Sequence, residues 1–130
     1  METVPSILII DDHKDFREAL KSFILVQGIK ADILEAMTAQ DGMEIAVQKA
    51  PQVVIIDIHL RSGSGKVLEM AASLKKQDAS CGIIILTMYA RDDIRSFCDT
   101  RDIDDIIDKN DLDKRLVPAI NRLLSVTEKV

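Results

Sequence analysis

Residues 53–60 read Val53-Val54-Ile55-Ile56-Asp57-Ile58-His59-Leu60, an aliphatic run interrupted by one carboxylate. Val53–Ile56 is continuous, β-branched and short, the pattern of a strand buried on both faces of a parallel sheet. The same pattern recurs at Ile7–Ile10 and Ile83–Leu86, and in shorter or more acidic form at Ile33–Leu34 and Ile103–Ile107. Between these blocks the apolar residues take helical spacing. The groups are Phe16, Leu20, Phe23 and Ile24, then Met43, Ala46 and Val47, then Val67, Leu68, Ala71 and Leu74. Ile94 and Phe97 mark a fourth stretch, and Leu116, Ile120, Leu123 and Leu124 a fifth.

Five strands alternating with five helices predict one α/β domain over residues 1–130, a (βα)5 three-layer sandwich around a parallel five-stranded sheet. Acidic residues interrupt the second and fifth blocks, so these become the edge strands. The first, third and fourth are central. That placement fits a flavodoxin-like order, 2-1-3-4-5, with the ligand crevice outside the carboxyl ends of strands 1 and 3.

Composition narrows the function. Apolar residues make up 47% of the chain and aromatics only 3%, with no Trp. The core is therefore aliphatic, with 18 isoleucines to supply it, and disorder is excluded. So few aromatics leave no stacking platform for single-stranded nucleic acid. A net charge of -5 opposes phosphate backbones, so no direct nucleic-acid binding by this domain is expected. No apolar run reaches the roughly 20 residues of a membrane span. Met1–Pro5 has no basic start and leads into only a short apolar block, so a signal peptide is not expected. Cys81 and Cys98 do not make a disulfide framework. These features together predict a cytoplasmic protein without membrane contact.

Charge concentrates at one end of the predicted sheet. Asp11 and Asp12 follow strand 1, Asp57 ends strand 3, Thr87 follows the fourth block, and Lys109 follows Ile106-Ile107-Asp108. A lone Asp after a strand is ordinarily a turn residue or helix cap. Five compatible groups on four strand ends are not explained that way. Three carboxylates sharing a crevice need positive charge, and a hard cation such as Mg2+ takes one or two of them and completes its shell with water or phosphate oxygens. Lys109 can hold a further phosphate oxygen and Thr87 can donate to another. Such an inventory suits phosphoryl transfer, in which positioning and charge neutralisation dominate. Asp57 is then free to act as a nucleophile.

With these residues the chain resembles the receiver domains of two-component response regulators over nearly its whole length, and the expected strand order is partly carried by that likeness. The resemblance implies a phosphorylation-dependent switch, not a turnover enzyme, which accepts a phosphoryl group from a sensor histidine kinase. Asp57 matches the phosphoacceptor, Thr87 the switch hydroxyl and Lys109 the phosphoryl-contacting lysine, while Gly65 matches the family's loop glycine. By the same resemblance Asp12, Asp57 and the backbone carbonyl of His59 ligate Mg2+, with Asp11 acting mainly through water. The family often dimerises through the surface of its fourth helix, fifth strand and fifth helix. His59 and Tyr89 occupy positions that tune dephosphorylation in the family.

Some positions depart from the family pattern. Ile106 stands where an aromatic is common, Arg61 and Asn110 where Pro is common, and Met88 where a small residue is frequent. With Asn110 after Lys109, a trans bond is expected there, because a cis bond to a non-proline costs about 2.5–4 kcal/mol. Rival motifs fail on their own requirements. Ser62–Lys66 lacks the first glycine and the final hydroxyl of a P-loop, having Leu60 and Val67 there. An EF-hand loop from Asp102 would need Gly and Glu where Ile107 and Asp113 stand, so that acidic run is expected to be a solvated edge strand and helix start. An aspartyl-phosphate phosphatase of the haloacid dehalogenase type would need Asp-x-Asp after strand 1, and the sequence has Asp11-Asp12-His13. A phosphorylation-independent interaction module would tolerate a degraded acidic pocket, and here the pocket is intact. His13 is expected to be an exposed first-turn residue and the two cysteines ordinary core or loop thiols.

Overall fold

The computed structural model describes residues 4–88 and 102–128. In chain order the elements are β1 (Ser6–Ile10), α1 (Lys14–Val26), β2 (Asp32–Ala36), α2 (Ala39–Lys49), β3 (Val53–Asp57), α3 (Ser64–Gln77) and β4 (Gly82–Thr87), followed by β5 (Asp105–Asp108), a single 3-10 turn (Lys109–Asp111) and α4 (Leu112–Glu128). The strands form one sheet in the order β2-β1-β3-β4-β5, with every pairing parallel. The expected topology and edge strands are thus observed. The Ile94/Phe97 stretch, Tyr89 and Cys98 lie outside the described residues.

Alternation along each strand divides the core in two. Ile7 and Ile9, Val53 and Ile55, and Ile84 and Leu86 face α1 and α4, where Leu20, Ile24, Leu116 and Ile120 meet them. Leu8 and Ile10, Val54 and Ile56, and Ile83 and Ile85 face α2 and α3, against Ala46, Val67, Met70 and Leu74. Central strands are buried on both sides, which is why their sequences are continuous aliphatic runs rather than alternating ones.

Two expectations need correction. Val47 does not belong to the buried face of α2; it is 61% exposed, while Gly42 and Ala46 are buried. The reason is close approach: a Cβ on Gly42 would overlap the Ile10 side chain, so α2 sits on β1 through the 42/46 face. The last strand begins at Asp105 rather than Ile103, and Ile103 packs against the α2–α3 side just before it. The acidic run is a solvated edge strand and helix start as expected, with Asp104 and Asp113 exposed, and it is also tied to its neighbours. Asp104 accepts from the Ile83 backbone N–H at 2.7 Å and pairs with Lys75 at 2.8 Å. Asp105 pairs with Arg115 and Arg122 of α4.

Among the described residues no peptide bond is cis, so Lys109–Asn110 is trans as expected, and the chain passes through the 3-10 turn directly into α4. Cys81 is a buried thiol, pushed up to about 11 by burial, which keeps it protonated and unreactive. Among the described residues no helix is long and apolar enough to cross a membrane.

Candidate functional site

Register brings the strand ends level. Ile10 pairs with Ile56, Asp57 with Leu86, and Thr87 with Asp108. Asp11 therefore emerges beside Asp57 at one rim of the sheet. Alternation then sorts the side chains. Asp57 continues the phase of Val53 and Ile55, and Asp11 that of Ile7 and Ile9, both toward α1 and α4. Lys109 continues the phase of Ile107 on that same side. The three meet accordingly: Lys109 Nζ lies 3.4 Å from Asp57 Oδ2 and 3.6 Å from Asp11 Oδ2. Phe16, in the first turn of α1, lies under the ammonium at 4.1 Å from its ring centroid. A cation over an aromatic face is favourable, so Phe16 helps fix the lysine where the carboxylates need it.

Asp12 and Thr87 take the opposite phase. Asp12 continues Leu8 and Ile10 toward α2, where Arg61 Nε approaches its Oδ2 at 3.6 Å. Beside that pair is a cavity of about 210 Å³ lined by Asp12, Met37 to Ala39 and Leu60 to Ser62. Thr87 continues Ile83 and Ile85, and its hydroxyl lies 3.5 Å from His59 Nε2. The His59 backbone N–H donates to Asp57 Oδ1 at 2.9 Å, which orients that carboxylate. All six site residues expected from sequence are thus gathered at one end of the sheet.

Asp57 is 2% exposed and Asp11 1%. Burial pushes the Asp11 carboxyl above the usual carboxylate range, and the nearby Asp57 charge adds to that push. The His13 backbone N–H and Lys109 pull the other way. Asp11 Oδ2 and Asp12 Oδ1 are buried and make no hydrogen bond. Lys109 and His13 lie near these atoms and supply charge or proximity, but not hydrogen-bond alignment. Buried acceptors without a donor are costly in a folded protein. A divalent cation would satisfy both, and hard oxygen donors of this kind suit one.

His13 is a site residue that sequence reasoning missed. It is exposed, as expected, yet it is the residue before α1 rather than in its first turn. Its Nδ1 lies 3.2 Å from Asp11 Oδ1 and 3.0 Å from Asp12 Oδ1. The available signal was adjacency to the acidic pair. Gly65 is the second residue of α3, and the positive-φ backbone just before that helix is held by Gly63, with φ of 94°. Arg17, another site neighbour, donates to the Asp11 carbonyl at 2.7 Å and pairs with Glu35 at 3.1 Å. It ties α1 to the ends of β1 and β2.

Known proteins agree with this geometry. The sequence matches the response regulator receiver domain family over residues 7–121. It is 35% identical over 86 residues to the transcriptional regulatory protein DesR of Bacillus subtilis, covering 66% of this chain and 41% of that one. Identity to the nitrate/nitrite response regulator protein homolog of Haemophilus influenzae is 27% over 100 residues, or 76% of this chain and 47% of the relative. The chain thus spans less than half the length of these curated relatives. Among solved structures, the response regulator TrrA of Thermotoga maritima in complex with Mg(2+)-BeF superimposes with a TM-score of 0.79 at 27% identity, covering 92% of this chain and 99% of that one. A receiver domain from Clostridium thermocellum gives 0.83 at 23% identity, covering 96% and 98%, a likeness of fold. The chain belongs to the response regulator receiver domain family, whose members are generally phosphorylation-dependent signalling switches of two-component systems.

Proposed function

We propose that residues 1–130 form a single receiver unit in which Asp57 accepts a phosphoryl group from the phosphohistidine of a sensor histidine kinase, in a Mg2+-dependent reaction in the cytoplasm. The observation that carries this reading is the Asp57 carboxylate, buried at the end of β3 and 3.4 Å from Lys109 Nζ. Its Oδ1 is fixed by the His59 N–H. Oδ2, facing Lys109, is the nucleophile. It attacks phosphorus, the P–N bond of the donor breaks, and the imidazole nitrogen leaves with the bonding pair, giving an aspartyl phosphate.

Asp12, Asp57 and the His59 carbonyl would hold Mg2+, with Asp11 reaching it mainly through water. Bound there, Mg2+ neutralises charge on the phosphoryl oxygens. Lys109 accepts a phosphoryl oxygen as an ion-pair partner and leaves its present contact with Asp57 Oδ2. Thr87 donates its hydroxyl to another oxygen and turns away from His59. That reorientation changes the partner-binding surface. The corresponding assembly is a homodimer through the Ile94/Phe97 stretch, β5 and α4, and the domain makes no direct contact with nucleic acid.

Incubation with acetyl phosphate and Mg2+, read by intact mass, tests the reaction. One phosphoryl group is expected on the unaltered chain, and none on Asp57→Asn or in EDTA. Labelling that survives either change contradicts the assignment.

A further inference from the structure

We propose that Arg17 is the positioning residue of the acidic pair. By holding the Asp11 carbonyl it fixes the peptide that sends Asp11 and Asp12 to opposite sides of the sheet, and so sets the Mg2+ affinity of the site. The inference deepens the phosphorylation reading above and rests on it for the cation.

The need for such a group comes from where β1 stops. Its pairings end at Ile10, opposite Ala36 of β2 and Ile56 of β3. The Asp11 N–H still donates to the Ala36 carbonyl at 3.1 Å. The Asp11 carbonyl lies beyond the paired residues, and a backbone acceptor at a buried strand end needs a donor. Arg17, the fourth residue of α1, supplies it: Nη1 donates to that carbonyl at 2.7 Å. Nε of the same guanidinium donates to Glu35 Oε1 at 3.1 Å. The Arg17 side chain is 13% exposed, so the contact is held in largely buried surroundings. A guanidinium serves two acceptors in fixed directions, which an ammonium does not.

The bond matters because the Asp11 carbonyl and the Asp12 N–H belong to one planar peptide. Holding that plane fixes the direction in which the chain leaves Asp11, and hence the side each carboxylate takes. Asp11 lies beside Lys109 at 3.6 Å, on the α1 and α4 side. Asp12 lies beside Arg61 at 3.6 Å, toward α2. Lys109 and Arg61 meet these carboxylates directly. Arg17 pairs instead with Glu35 and meets Asp11 at its backbone.

Charge and geometry predict opposite signs for its loss. Removing a cation near the acidic pair would, by Coulomb attraction alone, tighten Mg2+ binding. Releasing the Asp11 carbonyl frees the peptide to rotate and weakens it. Partners that orient metal ligands are typically worth about 10–100-fold in metal affinity, so geometry outweighs charge here.

Calorimetric titration of the full chain with Mg2+ tests the assignment. The variants are Arg17→Met, the double change Arg17→Met with Glu35→Met, and Leu74→Ala. The double change leaves no orphaned charge, and replacing a buried ion pair by apolar residues is often neutral for stability. Leu74 is buried and lines a cavity with Pro51 and Cys81, which precede β3 and β4, so it lies at the other end of the sheet. Its truncation lowers stability without reaching the site. Both Arg17 variants are expected to bind Mg2+ at least about ten-fold more weakly, and Leu74→Ala to bind it as the unaltered chain does. In the metal-free protein the Asp11 carbonyl carbon resonance should shift in both Arg17 variants and stay in place in Leu74→Ala. Unchanged or tighter Mg2+ binding in either Arg17 variant overturns the inference and leaves the phosphorylation reading standing. So does an equal loss in Leu74→Ala, which would tie the effect to stability, or an unmoved Asp11 carbonyl. Failure of the unaltered chain to bind Mg2+ overturns both.

Discussion

The Lys109 ammonium stands 3.4 Å from Asp57 Oδ2, reaching it from the turn just after β5 across the intervening β4. It is the cation that lets two buried carboxylates coexist. Removing one partner of a buried ion pair leaves the other uncompensated, at a cost of about 3–5 kcal/mol when burial is complete. Lys109 keeps some exposure, so Lys109→Met should destabilise the metal-free protein by about 3 kcal/mol or less. Added Mg2+ should restore much of that loss. Urea denaturation with and without Mg2+ measures both effects, and equal stability of the two proteins in EDTA contradicts the role.

The Asp11 carboxyl is raised, chiefly by burial and further by Asp57. A group whose folded pKa lies above its unfolded one adds stability at low pH and loses that contribution as pH rises through the folded value. Ionised Asp11 is therefore a burden on the metal-free protein near neutrality. Asp11→Asn should stabilise the metal-free protein at pH 7, with the gain shrinking as pH falls toward the ordinary carboxylate range. Stabilisation by Mg2+ should likewise be larger at pH 7 than at pH 5, because protons compete for the same oxygens. Thermal melts across pH check this, and a gain from Asp11→Asn that grows on acidification contradicts it.

At Gly42, α2 lies close against β1. Any Cβ there meets Ile10, the residue before Asp11. Gly42→Val should cost about 1–3 kcal/mol by overpacking. It should also weaken Mg2+ binding by displacing the end of β1. Val47→Ala, on the exposed side of the same helix, should change stability by less than about 0.5 kcal/mol. Similar losses in both variants, measured by urea denaturation, would argue against this packing.

Thr87 has its hydroxyl near His59 and its backbone in register with Asp108 of β5. A hydrogen bond to a charged group is worth about 1.5–3 kcal/mol. Thr87→Val should therefore leave phosphorylation of Asp57 intact while reducing the bias toward the activated state by that amount. Ile106 is buried, β-branched and stiff at its first side-chain torsion, so it should change rotamer less than the segment around Met88 moves. Methyl NMR with and without a beryllofluoride mimic reads both. An Ile106 rotamer change with Met88 unmoved contradicts this route.

Much of the fold was legible because central strands buried on both faces leave uninterrupted β-branched runs, and Ile7–Ile10, Val53–Ile56 and Ile83–Leu86 are such runs. The carboxylates at their ends were legible for the same reason: a charge after a buried strand needs an external partner. Val47 was misplaced because helical spacing gives a set of candidate faces, and the choice among them was made by Gly42 against Ile10. The pairings of Asp104 and Asp105 were not legible because their partners Ile83, Lys75, Arg115 and Arg122 are distant in sequence. His13 was missed because its role depends on the backbone turn between β1 and α1, which no periodicity records.

The central claim is that Asp57, and neither Asp11 nor Asp12, carries the phosphoryl group. Borohydride reduction after treatment with acetyl phosphate and Mg2+ converts an aspartyl phosphate to homoserine, which tandem mass spectrometry locates. The account predicts homoserine at position 57 alone, with none when Mg2+ is withheld. Homoserine at position 11 or 12, or none on the fully folded chain with Mg2+ present, would contradict it.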